Sequence, residues 1–415
     1  MLDAKALQTA HVGLSLFDPA ANKYLYNYQG DKYFVPASNT KLPTCYAAMK
    51  YLGDSLVGAR IMVMDTAVLI FPTADPTLLH PEFKNQQLIS RLQNEKRNIY
   101  ITNESWNEAA LGSGWSWNDY DQNYMAERSP LPVYGNTLKW VQEVTDSAKS
   151  PLIYSNPEIN WEVNFSEDNN EKNFSVDRDI GSNSYTLYQG SEKAKVTQSI
   201  PFVTNGVKSS IELLSDVLGK EVYLSKYKGD YYFSRGFESK ARPFYSQPTD
   251  SLLKPMMHRS DNFFAEQALL MVSNERLGVM NDAKIIDTLL KTDFKDLPQK
   301  PRWVDGSGLS RYNLFTPQDF VIILNKMKNE FGMERLKGIL PTGGEGTISS
   351  YYKADSGYIY GKTGTLSGVV AFSGFLYTKK GKLLIFSTLI NNHQASATDV
   401  RKAIERFLQG VRNKY

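Results

Sequence analysis

The two ends of the chain both alternate as strands do, so whatever lies between must leave one sheet and return to it. Near the start, Val12, Leu14 and Leu16 share one face, Asp18-Pro19-Ala20-Ala21-Asn22 turns, and Tyr24-Leu25-Tyr26 runs back. Near the end, Val369 to Tyr377 and Leu383 to Ile390 flank Lys379-Lys380-Gly381-Lys382 and form a second hairpin. Val400, Ala403, Ile404, Phe407 and Leu408 then fall at helical spacing, with Ser396 or Thr398 to cap the helix and Gly410 to stop it. Both ends therefore belong to one mixed sheet packed by helices.

The middle has a different texture. From about Gly58 to Pro243 the chain is rich in Asn, Ser, Tyr and short apolar runs, with the polar stretch Ser166-Glu167-Asp168-Asn169-Asn170-Glu171-Lys172-Asn173 inside it. It reads as inserted material with its own strands and one amphipathic helix near Val207 to Leu218. Helical texture resumes after Pro255 through Phe263, Ala265, Ala268 and Leu269. Thr316-Pro317-Gln318-Asp319 opens a further helix, with Thr316 as cap and Pro317 at its first position. No internal repeat is visible. At roughly 100 to 200 residues per domain, 415 residues accommodate two or three domains or one domain carrying a large insertion.

Composition removes several function classes. With 41% hydrophobic and 12% aromatic residues the chain has the means to bury a core, and a net charge of +3 does not point to nucleic acid or an anionic membrane as the main partner. Cys45 is the single cysteine, so there is no intrachain disulfide and no cysteine-based zinc site; in Cys45-Tyr46-Ala47-Ala48-Met49 it reads as a small core residue. No apolar run approaches 18 residues, so no transmembrane helix is expected. Met1-Leu2-Asp3-Ala4-Lys5 lacks a basic segment followed by an apolar one, leaving open a cytoplasmic protein or one whose signal peptide has been removed.

Ser-x-x-Lys occurs at Ser38/Lys41, Ser225/Lys228, Ser251/Lys254 and Ser350/Lys353, and the pattern alone is weak. Only Ser38 follows a probable strand and opens a long helical pattern, to Leu52. Residues three apart share a helix face, so a neutral Lys41 is in reach of the Ser38 hydroxyl as its base; the bland alternative is a solvated lysine beside a capping serine. Ser260-Asp261-Asn262 occurs once, and by itself is an ordinary helix cap. Lys362-Thr363-Gly364 also occurs once, where a Lys and a Thr at a strand edge, with Gly allowing close approach, suit an anionic group. Ser356 to Thr363 nearly spells a phosphate loop, but Gly364 to Val370 continues as turn and strand instead of delivering a helix N-terminus. Four histidines, with no H-E-x-x-H and no G-x-S-x-G, leave zinc peptidases and α/β-hydrolases without their residues; His258, two residues before Ser260, reads as a capping or surface histidine.

In this order the three motifs resemble those of penicillin-binding proteins and serine β-lactamases. Pro36-Ala37-Ser38-Asn39-Thr40-Lys41-Leu42, Gly114-Trp115-Ser116-Trp117-Asn118-Asp119, Asp305-Gly306-Ser307-Gly308-Leu309-Ser310-Arg311, Leu340-Pro341-Thr342-Gly343-Gly344 and Gly361 to Gly368 narrow the resemblance. They are similar to the D-alanyl-D-alanine carboxypeptidase/endopeptidase family, the class C low-molecular-mass penicillin-binding proteins related to penicillin-binding protein 4. The resemblance spans nearly the whole chain and implies a mixed α+β, β-lactamase/transpeptidase-like domain, an antiparallel sheet flanked by helices. It also implies a large β-rich insertion between the first two motifs, and Ser38 and Ser260 are 222 residues apart. The expected division is 1–58 with 244–415 as the catalytic domain and 59–243 as the insert. Two departures stand out: Pro43 removes an amide donor from a helix begun at Ser38, and Ala74 stands where the family usually places Gly before Asp75-Pro76-Thr77-Leu78.

The resemblance implies peptidoglycan stem peptides ending in D-Ala-D-Ala, or crosslinks made from them, as substrate, β-lactams as covalent inhibitors, no metal or other cofactor, and a periplasmic or otherwise extracytoplasmic location. It implies Ser38 as nucleophile and Lys41 as base, with Lys41 kept neutral by the charge of Lys362. Ser260 passes the proton to the leaving amine and Asn262 holds the substrate amide and Lys41. The N–H groups of Ser38 and Thr365 form an oxyanion hole, and Lys362, Thr363 and Thr365, with Gly364 between them, grip the terminal carboxylate. A serine β-lactamase or a non-catalytic wall-binding protein of the same fold are the alternatives.

Overall fold

The computed structural model describes residues 1–144, 151–166, 172–225 and 240–415. Lys228 of one Ser-x-x-Lys pair and residues 167–171 of the polar stretch lie outside the described residues.

The chain opens with β1 (His11–Asp18) and β2 (Lys23–Tyr28), then a 3₁₀ turn Ala37–Thr40 leads into α1 (Lys41–Tyr51). The inserted stretch begins along β3 (Ser55–Val63) and β4 (Ala67–Pro72), followed by α2 (Gln87–Gln93) and β5 (Asn98–Ile101). It continues with β6 (Thr137–Glu143), β7 (Leu152–Asn156), β8 (Val163–Phe165), β9 (Ser175–Arg178), β10 (Tyr185–Tyr188) and β11 (Val196–Pro201). After α3 (Lys208–Leu218) and β12 (Val222–Leu224), β13 (Arg242–Pro248) returns antiparallel to β3 with Phe244 opposite Ala59. Four helices follow: α4 (Thr249–His258), α5 (Asn262–Leu277), α6 (Asp282–Lys291) and α7 (Pro317–Ile339). The chain closes with β14 (Ile359–Leu366), β15 (Val369–Tyr377), β16 (Leu383–Asn391) and α8 (Ala397–Lys414).

As the hairpins at the two ends require, β1 pairs with β16, and the sheet runs β14-β15-β16-β1-β2, antiparallel throughout. Its inner strands read as continuous apolar runs because both faces are covered. Ala371, Phe375, Ile385 and Leu389 face a core built from α1, α4, α5 and α7, whereas Val370, Phe372, Leu384 and Phe386 face Val400, Ile404 and Leu408 of α8. This is the mixed α+β arrangement with helices flanking an antiparallel sheet. The insert holds a separate apolar core across a five-stranded sheet, β12-β5-β4-β3-β13, and two three-stranded sheets.

Several local expectations need correction. Gly410 does not stop α8, because burial of Leu408 and Val411 on either side outweighs the cost of about 1 kcal/mol for an exposed helical glycine. Ser396 is the cap, accepting from the Asp399 amide at 3.1 Å. Pro255 lies inside α4, which starts six residues before it and buries Leu252, Leu253, Met256 and Met257. The insert carries α2 as well as the expected α3. Ala74 adopts φ 65, the left-handed conformation that Gly enters freely, at a strain of order 1 kcal/mol, with its carbonyl bound by Gln267 Nε2 of α5 at 3.0 Å.

Insert and helices are joined by ion pairing as well as packing. Arg128, 1% exposed, donates to Asp282 Oδ2 at 2.6 Å and Glu108 Oε1 at 3.2 Å and lies 3.5 Å from Glu266 Oε2. Arg128→Met strands three acids around a neutral side chain and is expected to cost about 3–5 kcal/mol, read as a lower urea midpoint. An unchanged midpoint would show that the network does not hold the two parts together.

Candidate active site

Ser38 is held by an unusual backbone. Ala37 has φ 46, and the 3₁₀ turn from Ala37 to Thr40 precedes the α-helix proper, so α1 starts at Lys41. Pro43 thereby falls in the first turn, where helix amides have no intrahelical acceptor, and costs the helix nothing. The Thr40 hydroxyl donates to Ala37 O at 2.9 Å and Thr44 to Gly306 O at 2.7 Å, fixing the turn from both sides.

Lys41 is fully buried. Its Nζ lies 2.9 Å from Ser38 Oγ, 2.7 Å from Asn262 Oδ1 and 2.8 Å from the Ser307 carbonyl. The last two partners only accept, so a neutral amine spends both protons on them and aims its lone pair at the Ser38 hydroxyl. Burial lowers the Lys41 pKa to about 8, against opposing pulls from Asp305, Glu266 and Asp261. The expected cause, the charge of Lys362, is therefore corrected: desolvation dominates at Lys41. The like-charge effect appears at Lys362, also fully buried, whose pKa is held well below the ordinary lysine value by burial and then by Lys41.

Ser260 and Asn262 do not cap α5. Asp261 does, accepting from the Phe264 amide at 2.9 Å, while Ser260 is left-handed at φ 64 and Asn262 is the first helical residue. That arrangement turns Ser260 Oγ toward Lys362 Nζ at 2.9 Å and Asn262 Oδ1 toward Lys41. Asn262 Nδ2 is tied to the Tyr124 carbonyl of the insert at 3.0 Å. His258 ends α4, and the side-chain partner of Ser260 is Lys362.

Lys362, Thr363, Gly364 and Thr365 all lie within β14, the edge strand, so the phosphate-loop pattern delivers a strand and not a helix. The pleat divides these residues: Lys362 turns toward α5 and Ser260, whereas Thr363 shares a small cavity with Tyr352, Phe372, Arg401 and Ile404 on the α8 side. The Thr363 hydroxyl donates to Thr347 Oγ1 at 2.7 Å. Gly361 N donates outward to Pro341 O at 3.2 Å, and the same alternation aims the Thr365 amide away from β15 at the free sheet edge. Gly364 lets that edge approach Ser38: a Cβ there would lie 2.7 Å from Pro36 O and 3.0 Å from Ser38 N.

Ser38, Asn262 and Thr365 open onto a cavity of about 580 Å³ that Gly114, Asp119, Tyr124, Arg311 and Ser367 also line. Asp119 and Arg311 belong to segments of the sequence that received no role. Glu266 was also missed, although a charged residue inside the apolar run Phe263 to Val272 was the available signal. Its carboxyl accepts from Ser307 N at 2.7 Å, and burial, then the charge of Asp305, pushes its pKa up to about 7. Asp305, fully buried, gathers Trp115 Nε1 at 3.0 Å, Gly308 N at 2.8 Å, Ser310 N at 2.7 Å and Asn313 Nδ2 at 2.8 Å, and so shapes the loop whose Ser307 carbonyl meets Lys41. The other Ser-x-x-Lys serines are elsewhere: Ser251 caps back onto Pro248 O, and Ser350 lies in a turn. Among the described residues no group of three His, Cys, Asp or Glu is placed to hold a metal ion.

The sequence profile of the D-Ala-D-Ala carboxypeptidase 3 (S13) family matches residues 1–411. The chain belongs to that family. It is 24% identical to a D-alanyl-D-alanine carboxypeptidase of an Actinomadura species, over 96% of this chain and 80% of that one. It is 22% identical to the D-alanyl-D-alanine carboxypeptidase DacB of Haemophilus influenzae, over 100% of this chain and 92% of that one. The crystal structure of penicillin binding protein 4 (dacB) from Haemophilus influenzae shares the fold, with a TM-score of 0.76 at 20% identity over 99% of this chain and 98% of that one. A second structure of that protein, complexed with a β-lactam, superposes with a TM-score of 0.67 at 19% identity over 98% of this chain and 96% of that one. S13 membership makes this protein a hydrolase of the D-Ala-D-Ala carboxypeptidase type.

Two outcomes follow from the geometry. Gly364→Ala pushes β14 off the Ser38 turn, and acylation by a β-lactam is expected to fall about 100-fold, the scale of an ångström-level misplacement, with the melting temperature little changed. Because only neutral Lys41 accepts a proton, the acylation rate is expected to rise with pH up to about 8 and level off above it. A rate independent of pH between 6 and 9 would remove Lys41 from that role.

Proposed function

We propose that this S13 protein is a serine-type D-Ala-D-Ala carboxypeptidase, with endopeptidase action on crosslinks as a second use of the same site, working outside the cytoplasm on peptidoglycan stem peptides and inhibited by β-lactams. The observation that carries the reading is the Lys41 amine bridging Ser38 Oγ, Asn262 Oδ1 and the Ser307 carbonyl within 2.9 Å. In the proposed cycle Ser38 Oγ bonds to the carbonyl carbon of the penultimate D-Ala while its proton passes to Lys41 Nζ. The C–N bond breaks, and the departing amine takes a proton through Ser260, which Lys362 supports at 2.9 Å. Water then attacks the acyl ester while Lys41, neutral again once its proton has passed by way of Ser260 to the departing amine, accepts the water's proton and returns it to Ser38 Oγ as the ester C–O bond breaks. The outward amide of Thr365, together with that of Ser38, stabilises the developing oxyanion.

We take residues 1–58 and 244–415 as the catalytic domain and 59–243 as the insert, divided where Ala59 faces Phe244 across β3 and β13. The insert contributes Gly114, Asp119 and Tyr124 to the cavity, which favours polymer binding over the compact site of a β-lactamase. The intact lysines and serines argue against a non-catalytic wall-binding protein.

Fluorescent penicillin is expected to label Ser38, and Ser38→Ala to abolish labelling in a folded protein. Adduct on Ser225, Ser251 or Ser350 would overturn the assignment. Hydrolysis of a D-Ala-D-Ala peptide is also expected to persist in EDTA, since the proposed charge stabilisation comes from backbone amides and lysines; loss restored by zinc would contradict it.

A further inference from the structure

We propose that Arg401 of α8 sets the preference of this site for a substrate ending in a free carboxylate, acting through the Thr365 hydroxyl. The inference deepens the proposed function and rests on it, since it concerns which end group that site accepts.

A carboxylate that leaves water needs a cation or donor fixed in place. Lys362 is the obvious cation by sequence, but it is completely buried, does not line the cavity, and spends its protons on Ser260 Oγ at 2.9 Å and the Thr363 carbonyl at 2.7 Å. The pleat of β14 turns Thr363 and Thr365 toward α8, the helix that covers that face of the sheet. There Arg401 Nη2 donates to Thr365 Oγ1 at 2.7 Å. Among the described residues no carboxylate lies within ion-pair distance of Arg401; Asp399, two residues earlier, is engaged with Ser396 in the helix cap. An arginine on α8, without an acid among the described residues and bonded to a hydroxyl of the candidate cavity, leaves its charge available to an anion there.

The proton count gives the direction. Thr365 Oγ1 accepts from Arg401, so its own proton is left to donate, and it lines the cavity together with Ser38. Polarised by a guanidinium, that O–H becomes a stronger donor toward an anion. The adjacent Thr363 hydroxyl is already engaged with Thr347, so the freer donor is Thr365. Arg401 is thus a positioning residue: it orients one hydroxyl and adds a positive field where the substrate terminus would lie.

The test compares a diacylated L-Lys-D-Ala-D-Ala peptide as the free acid and as its C-terminal amide, using the whole protein. Unmodified protein is expected to cut the acid much faster. Arg401→Ala should lower kcat/KM on the acid by about 10- to 100-fold, the range for loss of one charge-assisted contact, and lose far less on the amide, so that the acid-to-amide ratio collapses. Arg401→Lys should recover part of the ratio, because charge is kept but the planar fork is lost. Thr365→Val, which leaves the guanidinium in place, should also depress the ratio. An undiminished ratio in Arg401→Ala, or equal rates on acid and amide in the unmodified protein, overturns the proposal. Failure of the unmodified protein to cut either peptide or to be labelled by penicillin at Ser38 would instead overturn the proposed function, and Arg401 with it.

Discussion

The buried amine of Lys41 has three oxygen partners and, when neutral, two protons to share among them. Ser307 and Asn262 take those two by their chemistry, and the remaining lone pair faces Ser38. Every nearby structural choice serves that count. The 3₁₀ turn with left-handed Ala37 brings Ser38 within reach of an amine three residues on, and the late start of α1 leaves Pro43 harmless. Desolvation weakens the amine's hold on a proton, while Asp305 and Glu266 restrain the shift at about 8, near the pH at which a base is most useful.

Those acids in turn are held from the insert. Trp115 donates to Asp305, Arg128 lies against Glu266, and the Tyr124 carbonyl orients the amide of Asn262. Buried charges of this kind are costly unless matched, which is why a single arginine faces three carboxylates. The long departure of the chain between Ser38 and Ser260 therefore does more than extend the surface. It adds partners to the loop at Ser307 and to the start of α5.

The outline of the fold was legible because its signals are local. Alternation in Val12 to Leu16 and in Val369 to Ile390 predicts strands, and the Thr316-Pro317 cap and the Val207 to Leu218 pattern predict helices, all of which the structure contains. The motif serines and lysines were legible as a set, and the structure brings Ser38, Lys41, Asn262, Ser260 and Lys362 into two hydrogen-bonded groups. What could not be read depends on tertiary context. Gly410 continues a helix because its neighbours are buried, and Asp261 rather than Ser260 caps α5 because Ser260 is left-handed. Arg401 carries no motif; its place beside Thr365 exists only because α8 folds back over the sheet. The cause of the Lys41 shift was likewise invisible, since burial of a lysine is a property of the packed helices around it.

The central claim is that Lys41 titrates near 8 because burial strips its ammonium of water, leaving a neutral amine to face Ser38. An NMR titration of ¹³Cε-labelled lysines, with the Lys41 signal assigned by its loss in Lys41→Met, measures this directly. A midpoint near 8 is predicted for Lys41, below the ordinary lysine value of about 10.5. A midpoint at or above that ordinary lysine value would show that the amine stays protonated throughout the working range and would contradict its role as the base for Ser38.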